Sequence, residues 1–392
     1  MRSRKKSHLT RRRLVQGAAL ALPAVSLSGA LAQARARKVL IVGAGAAGLT
    51  AAFHLKGAGA EVQILEAAPL WGGRVARLQG LADFPIDIGA EWIHTDPTVL
   101  GEMIGAGETD LGVSTIRYKP RTYQLLTDSG VHNRNFISNF YEEVKFETTT
   151  WYGFFERFVA PSVADGIIYN AAAQQVDLGG SGVRVKTRDG RTFEADQVIM
   201  AVPLSQHQNR SISYSPALPA RVFEGADAMN FGEGFKVFMK FRERFYPDMM
   251  FNQSIRQLLF SDGWDSKIYY DAAFGKPVQD NVLALFNVAQ TKLPMASLSD
   301  AALLEAALDE LTSFYGSVVR QSFERAVVQN WSQRDFIGGS YSMDLDADPE
   351  EVFAPVAGKL FFAGEMLGGD SQSTVHGAAF SGIAAVEAAL SA

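Results

Sequence analysis

The sequence predicts an α/β protein in which a Rossmann-type dinucleotide-binding domain is interleaved with an α+β domain built on a mixed sheet. Three observations carry this. A βαβ pattern with a glycine fingerprint occupies residues 38–74, short apolar strands that can rejoin it return at 198–202 and 359–365, and alternating strands with one long helix fill 232–315. The returns make both domains discontinuous: 35–94, 165–210 and 350–392 form the first, 95–164 and 211–349 the second. A chain of 392 residues is long enough for two cores.

Val39-Leu40-Ile41-Val42 is an apolar run of the length of a buried strand, and it leads directly into Gly43-Ala44-Gly45-Ala46-Ala47-Gly48. A helical pattern follows through Leu49, Ala52, Phe53 and Leu55, then a glycine turn at 57–59 and a second strand over 62–65 that ends on Glu66. In this context the glycines mark a dinucleotide site. Gly43 makes the tight turn, Gly45 lets a pyrophosphate approach bare backbone, and Gly48 lets helix and sheet pack closely. The helix start at Ala46 and Ala47 offers N–H groups and a partial positive charge to the phosphates. Glu66 stands where a carboxylate accepts ribose hydroxyls. Trp71-Gly72-Gly73-Arg74 is a further turn, and its guanidinium is placed to neutralise phosphate charge.

Composition narrows the chemistry. The chain has no cysteine, so disulfides, thiolate metal sites and cysteine nucleophiles are excluded, and its six histidines show no metal-binding spacing. Residues 1–34 have the pattern of a twin-arginine signal peptide, with Arg11-Arg12-Arg13, a mildly apolar stretch and Ala30-Leu31-Ala32 as cleavage site. Glycine, serine and proline dilute that stretch, so stable membrane insertion is not expected. Export of an already folded protein to the periplasm is. Without the seven basic residues of 1–34, the rest carries 30 basic against 42 acidic groups, a charge of −12. That balance argues against nucleic acid as a partner and suits a cationic small molecule.

Farther along, 86–94 alternates like a strand (Ile86, Asp87, Ile88) and breaks into a glycine turn, Gly89-Ala90-Glu91-Trp92, that can press backbone against a flat ring system. A short helix is expected over 98–105, a strand over 122–126 and an aromatic-rich helical stretch over 136–158. Asp189-Gly190 between two alternating runs signals a hairpin. In 232–241, GEGFKVFMKF, Lys236 shares a strand face with Gly234, Phe238 and Lys240. An inward lysine on an apolar face should have its ammonium disfavoured by desolvation, which suits it to handle a proton. A helix over 299–315 has a polar cap in 297–300. A loop rich in glycine and aromatics follows at 331–341, and the last helix runs from about 375 to 390.

Several motifs then align in order: VGAGAAGL with Glu66, GGR at 72–74, IDIGAEWIH at 86–94, ADQVIMAVPL at 195–204, GFKVFMKF at 234–241, FIGGSYS at 336–342, and KLFFAGE with STVHGAAFSG at 359–382. This set resembles the flavin-containing amine oxidases, nearest the polyamine-oxidase and spermine-oxidase branch. The resemblance implies an FAD-binding domain and a substrate domain. It also implies oxidation of a small amine by hydride transfer to flavin N5, giving an imine and then an aldehyde or ketone. The electron acceptor would be oxygen or a periplasmic cytochrome. The implied cofactor contacts are Gly43, Gly45, Ala46, Ala47, Gly48, Glu66, Ala67, Gly73, Arg74, Gly89, Ala90, Glu91, Trp92, Ala173, Gly364, Glu365, Thr374 and Val375. Of these, Glu365 would reach the phosphate or ribityl region, and the helix start at Thr374 and Val375 the flavin pyrimidine. Lys236 matches the lysine that holds a water at N5, and Tyr341 the aromatic that flanks the amine. Trp92 and His94 would lie toward the substrate. Ser340 stands where covalent members carry cysteine, so FAD is expected to be non-covalent.

Two departures stand out. Against the resemblance, about a hundred residues of a helical subdomain are absent between Asp128 and Ile167, which implies a site that is open, completed by a partner chain, or suited to a bulky substrate, and a homo-oligomer is a separate expectation. Asp370-Ser371-Gln372-Ser373 replaces an aromatic expected before TVHGA, unless Trp92, Trp151 or Tyr152 takes its place. Two alternatives follow. One is an L-amino-acid oxidase or tryptophan-monooxygenase-like enzyme with Arg117 or Arg121 as carboxylate anchor, though relatives of that kind place arginine where Trp92 stands. The other is a flavin-binding module serving a protein partner.

Overall fold

Along the strand Lys38–Val42, Val39 and Ile41 alternate with Leu40 and Val42, and the two pairs are buried in different cores. The unbroken apolar run is the mark of a strand covered on both faces. A computed structural model, which describes residues 37–139, 142–251, 266–290 and 292–392, places this strand at the centre of a five-stranded parallel sheet. The twin-arginine stretch lies outside the described residues. Glu61–Leu65 and Ile167–Ile168 extend the sheet on one side, Gln197–Met200 and Leu360–Phe362 on the other. One face packs on the helices Ala46–Gly57 and Val375–Ser391. The other packs on a four-stranded sheet of Thr192–Ala195, Val183–Thr187, Ala173–Asp177 and Ser213–Ser215, which contains the predicted hairpin.

The second sheet has seven strands, in the order Phe323–Asn330, Glu233–Phe241, Asn281–Ala289, Ser266–Asp271, Met249–Phe251, Tyr123–Thr127 and Gly130–Asn133. It is mixed: Met249–Phe251 runs parallel to Tyr123–Thr127, and the other neighbours are antiparallel. Phe235, Val237, Met239 and Phe241 point to the helix Asp300–Tyr315, which buries Leu303, Ala307, Leu308 and Leu311 against them. Ser299 caps that helix by accepting the Ala302 N–H. Lys236 and Phe238 therefore point the opposite way, toward a cluster that includes Tyr118, Tyr270, Trp331 and Ile337.

Three expectations are corrected. Only Ile86–Asp87 of 86–94 is strand, paired with Arg77–Leu78, because the chain then turns onto Arg74: a Cβ on Gly89 would lie 1.9 Å from the Arg74 carbonyl oxygen. The stretch 136–158 is not one helix. A 3₁₀ turn at Asn135–Asn139 and a strand at Glu143–Phe146 precede the helix Trp151–Phe158, which starts where Thr150 accepts the Gly153 N–H. Finally, part of 95–164 does not join the second domain. Val99, Leu100, Met103, Trp151, Phe154 and Phe155 are buried in the core of the fingerprint helix, the large surface able to cover so many aromatics.

The two domain-closing helices touch through backbone. A Cβ on Gly382 would lie 2.4 Å from the Ala47 carbonyl oxygen, whereas one on Gly57 would meet nothing within 4 Å. Gly382→Ala should therefore destabilise by roughly 1–3 kcal/mol, while Gly57→Ala is neutral or stabilises by up to about 1 kcal/mol. Urea unfolding of the two variants measures this, and equal effects would refute the close contact.

Candidate active site

The fingerprint loop has the shape its glycines demand. Gly43 adopts φ +106°, and a Cβ there would meet the Ala201 carbonyl oxygen at 2.5 Å. A Cβ on Gly48 would fall 1.9 Å from the Gly43 oxygen. Gly45 differs, since its nearest neighbour would be the Gly72 oxygen at 3.9 Å. Open space thus lies beside the residue that begins the helix Ala46–Gly57, and no side chain caps that helix start. This is the cradle a pyrophosphate requires, and the residues present fit FAD. Glu66 is buried and accepts the N–H groups of Ala44 at 2.7 Å and Ala68 at 2.9 Å. Burial raises its carboxyl above the ordinary range, against those hydrogen bonds and that of Ala67. Ala171 donates to the Glu66 carbonyl, which brings the strand beginning at Ala173 to the same end of the cradle.

The GGR turn is bonded to this loop, with Gly72 N–H donating to the Ala44 oxygen at 2.8 Å and Gly73 at φ +59°. Arg74 then spans to distant segments. Its Nη1 donates to the Ser340 oxygen at 2.9 Å and to Glu365 Oε1 at 2.8 Å. Glu365 is buried and also accepts the Ser342 N–H at 3.0 Å and the Ser342 hydroxyl. The chain's own groups thus engage Glu365, which the resemblance assigns to cofactor, and they partner part of the Arg74 charge. Gly364, at φ +159°, donates to the Ser381 hydroxyl. Thr374 caps the terminal helix by accepting the Gly377 N–H at 2.9 Å, and Val375 is buried beside it.

Lys236 sits at the far side. Gly234 shares its strand face, and a Cβ there would meet Ser340 Cβ at 3.1 Å, so the Lys236 face packs against the residue preceding Tyr341. The Tyr341 carbonyl accepts the Gly232 N–H at 2.9 Å. The Gly89–Trp92 loop closes over the same region: Ala90 donates to the Arg74 oxygen, and a Cβ on Gly89 would touch Trp331 at 3.0 Å. Fingerprint, GGR turn, GAEW loop, Lys236 strand, Tyr341 loop and last helix are therefore brought together.

The isolated desolvated ammonium expected at Lys236 is corrected. Its Nζ is buried 3.3 Å from Glu91 Oε2, so the charge has a partner. Glu91 also accepts the Tyr270 hydroxyl and lies 3.5 Å from Lys145 Nζ. Burial pushes the Glu91 carboxyl up, but Lys236, Lys145 and Tyr270 together hold it below its ordinary value. Asp87 is pushed well up by burial and by Glu91. Lys145 and Tyr270 escape sequence reasoning. The alternation of Glu143–Phe146 is the signal for Lys145, and it is hidden when 136–158 is read as a helix.

Trp92 lies 4.8 Å from Tyr118 and 5.4 Å from Tyr270, with Lys145 Nζ 5.5 Å from its ring. Its ring helps enclose Lys145. Trp151 is fully buried and Tyr152 stacks on Trp71 at 3.9 Å, so neither replaces the missing aromatic. His94 is exposed at φ 58° and pairs with Glu143 at 3.2 Å. Arg117 and Arg121 line an open pocket of about 570 Å³ with Lys119, Ser138 and Phe274.

The profile of flavin containing amine oxidoreductases matches residues 46–145 and 152–390, and the chain belongs to that family. Membership implies a flavin cofactor. The break in the match falls within the stretch between Asp128 and Ile167. Polyamine oxidase 2 of Arabidopsis thaliana is 28% identical over 211 residues, 53% of this chain and 41% of that protein. Polyamine oxidase 3 of Oryza sativa subsp. japonica is 23% identical over 445 positions, with 89% and 88% covered. The matched part thus spans less than half the length of several curated relatives. Among solved structures, cyclohexylamine oxidase from Brevibacterium oxydans has a TM-score of 0.73 at 16% identity, and a redesigned putrescine oxidase 0.72 at 18%. Both cover 91% of this chain and 99% of theirs, which establishes the shared fold.

Two buried histidines make stability depend on pH. Burial lowers His207 to about 4, and burial with the neighbouring His94 lowers His376 to about 4. Below pH 6.5 the unfolded chain binds protons that these rings refuse, so stability falls as pH drops from 6.5 to about 4, by up to about 3 kcal/mol per ring. Denaturant titrations should show this slope, reduced in His207→Gln. An unchanged slope in that variant would refute the assignment.

Proposed function

We propose that the chain is an FAD-dependent oxidase of small amines, exported to the periplasm by its twin-arginine segment. The observation that carries the reading is the buried Lys236, held beside the Tyr341 loop on the sheet face that meets the fingerprint domain. Bound FAD would supply the hydride acceptor. The Gly43–Gly48 loop and the uncapped helix start would hold its pyrophosphate, Arg74 would offset phosphate charge while braced by Glu365, and Glu66 would take the ribose. Tyr341 would offer its ring face to the substrate nitrogen. Lys236 would hold a water and exchange protons beside the reacting atoms. The product imine would hydrolyse to an aldehyde or ketone, with electrons passing to oxygen or to a periplasmic cytochrome. FAD would be held without a covalent cysteine link, because the chain has no cysteine.

A second reading, oxidation of amino acids, is favoured by one feature. Arg117 and Arg121 line the same open pocket and present cations to a carboxylate, although Arg117 already pairs with Glu142 at 3.1 Å.

The purified yellow protein, mixed anaerobically with a panel of amines and L-amino acids, should lose its flavin absorbance with at least one amine. Bleaching by amino acids alone would establish the second reading, and no bleaching by any compound would sink both. Lys236→Met should slow flavin reduction or reoxidation by roughly 10²-fold without loss of bound flavin. Acid precipitation should release the flavin into the supernatant, and a yellow pellet would refute non-covalent binding.

A further inference from the structure

Two lysines on different elements compete for one buried carboxylate. Lys236 comes from the strand Glu233–Phe241 and Lys145 from Glu143–Phe146. Glu91 lies between them, with Oε2 toward Lys236 at 3.3 Å and Oε1 toward Lys145 at 3.5 Å. Lys145 is 1% exposed, Lys236 5% and Glu91 7%, so water screens none of the three. The Ile93 N–H donates to the Val144 oxygen at 2.8 Å and fixes the Glu91 loop to the Lys145 strand. The remaining support of Lys145 is weakly polar: the Ala272 carbonyl at 3.1 Å, the Tyr118 ring at 4.7 Å and the Trp92 ring at 5.5 Å.

The groups facing this trio are Asp87, Tyr270, Tyr118, Asp271 and Lys276. Burial and the neighbouring Glu91 push the Asp87 carboxyl well above the ordinary range. Tyr270 donates its proton to Glu91 and stays neutral, its hydroxyl pushed well up by burial. Asp271 is pushed up by burial and partnered by Arg244 at 2.9 Å. Lys276 is lowered to about 8 by burial and by Lys145. One anion cannot fully compensate two buried ammonium groups. Burial lowers Lys145, and Glu91 and Asp271 only partly restore it. A cleft lined by Asp87, Glu91, Lys145 and Lys276 has room for at most about one water, so the contacts within the cluster are direct.

We propose that Lys145, coupled to Lys236 through the shared carboxylate of Glu91, is a second proton-holding residue of the active site. The inference rests on the reading of Lys236 as the cofactor-side lysine. When a bound ammonium substrate passes a proton to Lys236, the substrate N–H bond breaks as one forms on Lys236, and a second N–H bond on Lys236 breaks as one forms on the neutral Lys145 amine. Glu91 is a carboxylate before and after, and no electrons move. Lys145 acts through Glu91 and is a positioning residue, while Glu91 sets how the charge divides between the two lysines.

The test follows the charge on Lys145 directly, by its ¹³Cε resonance in the ¹³C-lysine-labelled, FAD-loaded protein, assigned with Lys145→Met. Lys236→Met leaves Glu91 to Lys145 alone and should move the Lys145 titration midpoint up by about one pH unit or more. Glu91→Gln removes the anion and should move it down. Opposite shifts are the signature of two lysines that divide one carboxylate. A midpoint that stays in place in Lys236→Met, or moves the same way in both variants, overturns the proposal. Should Glu91→Gln fail to fold, Lys236→Met decides alone. No amine is turned over, so failure here is distinguishable from failure of the amine-oxidase reading, which the anaerobic panel tests separately.

Discussion

The buried carboxylate of Glu365 is the contact on which the architecture depends. It receives Arg74 from the GGR turn and both the N–H and the hydroxyl of Ser342, while its own carbonyl accepts the Ser373 N–H just before the last helix. Four segments separated by up to three hundred residues are thereby tied at one point. A buried charge with one good partner is fragile, whereas one with an ion pair and two further hydrogen bonds is well satisfied. Removing any partner leaves the others charged or polar in a desolvated place, so the clasp is held collectively. It also orders the site, because the same Arg74 guanidinium grips the Ser340 carbonyl next to Tyr341.

Glu91 repeats the device across the site with a different outcome. Glu365 meets one guanidinium, whereas Glu91 lies between two lysines. The first arrangement balances charge and gives rigidity. The second sets two amines against one buried carboxylate, and burial lowers the Lys145 ammonium while Glu91 only partly restores it. The glycine turn that begins at Gly89 makes this possible, since a side chain there would collide with Arg74 and hold the loop away. Close backbone approach thus decides where the buried acid goes.

Local patterns were legible where local forces decide. The fingerprint loop, the Asp189-Gly190 hairpin, the Ser299 cap and the face of Lys236 all follow from turn chemistry, capping and period-2 alternation. They appear in the structure within a residue or two. The residues 136–158 were not legible. Their aromatics fit a helix equally well, and only the pairing of Glu143–Phe146 with Thr115–Tyr118 makes a strand of them. For the same reason Lys145 was invisible as a site residue, and the aromatic helix was attributed to the wrong domain.

The sequence by itself determined the dinucleotide cradle, the family and the inward lysine, because each is written in residues adjacent along the chain or in a fixed period. Only the tertiary structure decided that Lys236 has a partner, that Glu365 braces Arg74, and that Trp92 encloses Lys145. Those are contacts between elements up to 291 residues apart. Their energies depend on burial and distance, which no local pattern encodes. The opening fingerprint therefore marks where a dinucleotide would be held, while the tertiary fold alone gathers Lys145 and Lys236 around Glu91.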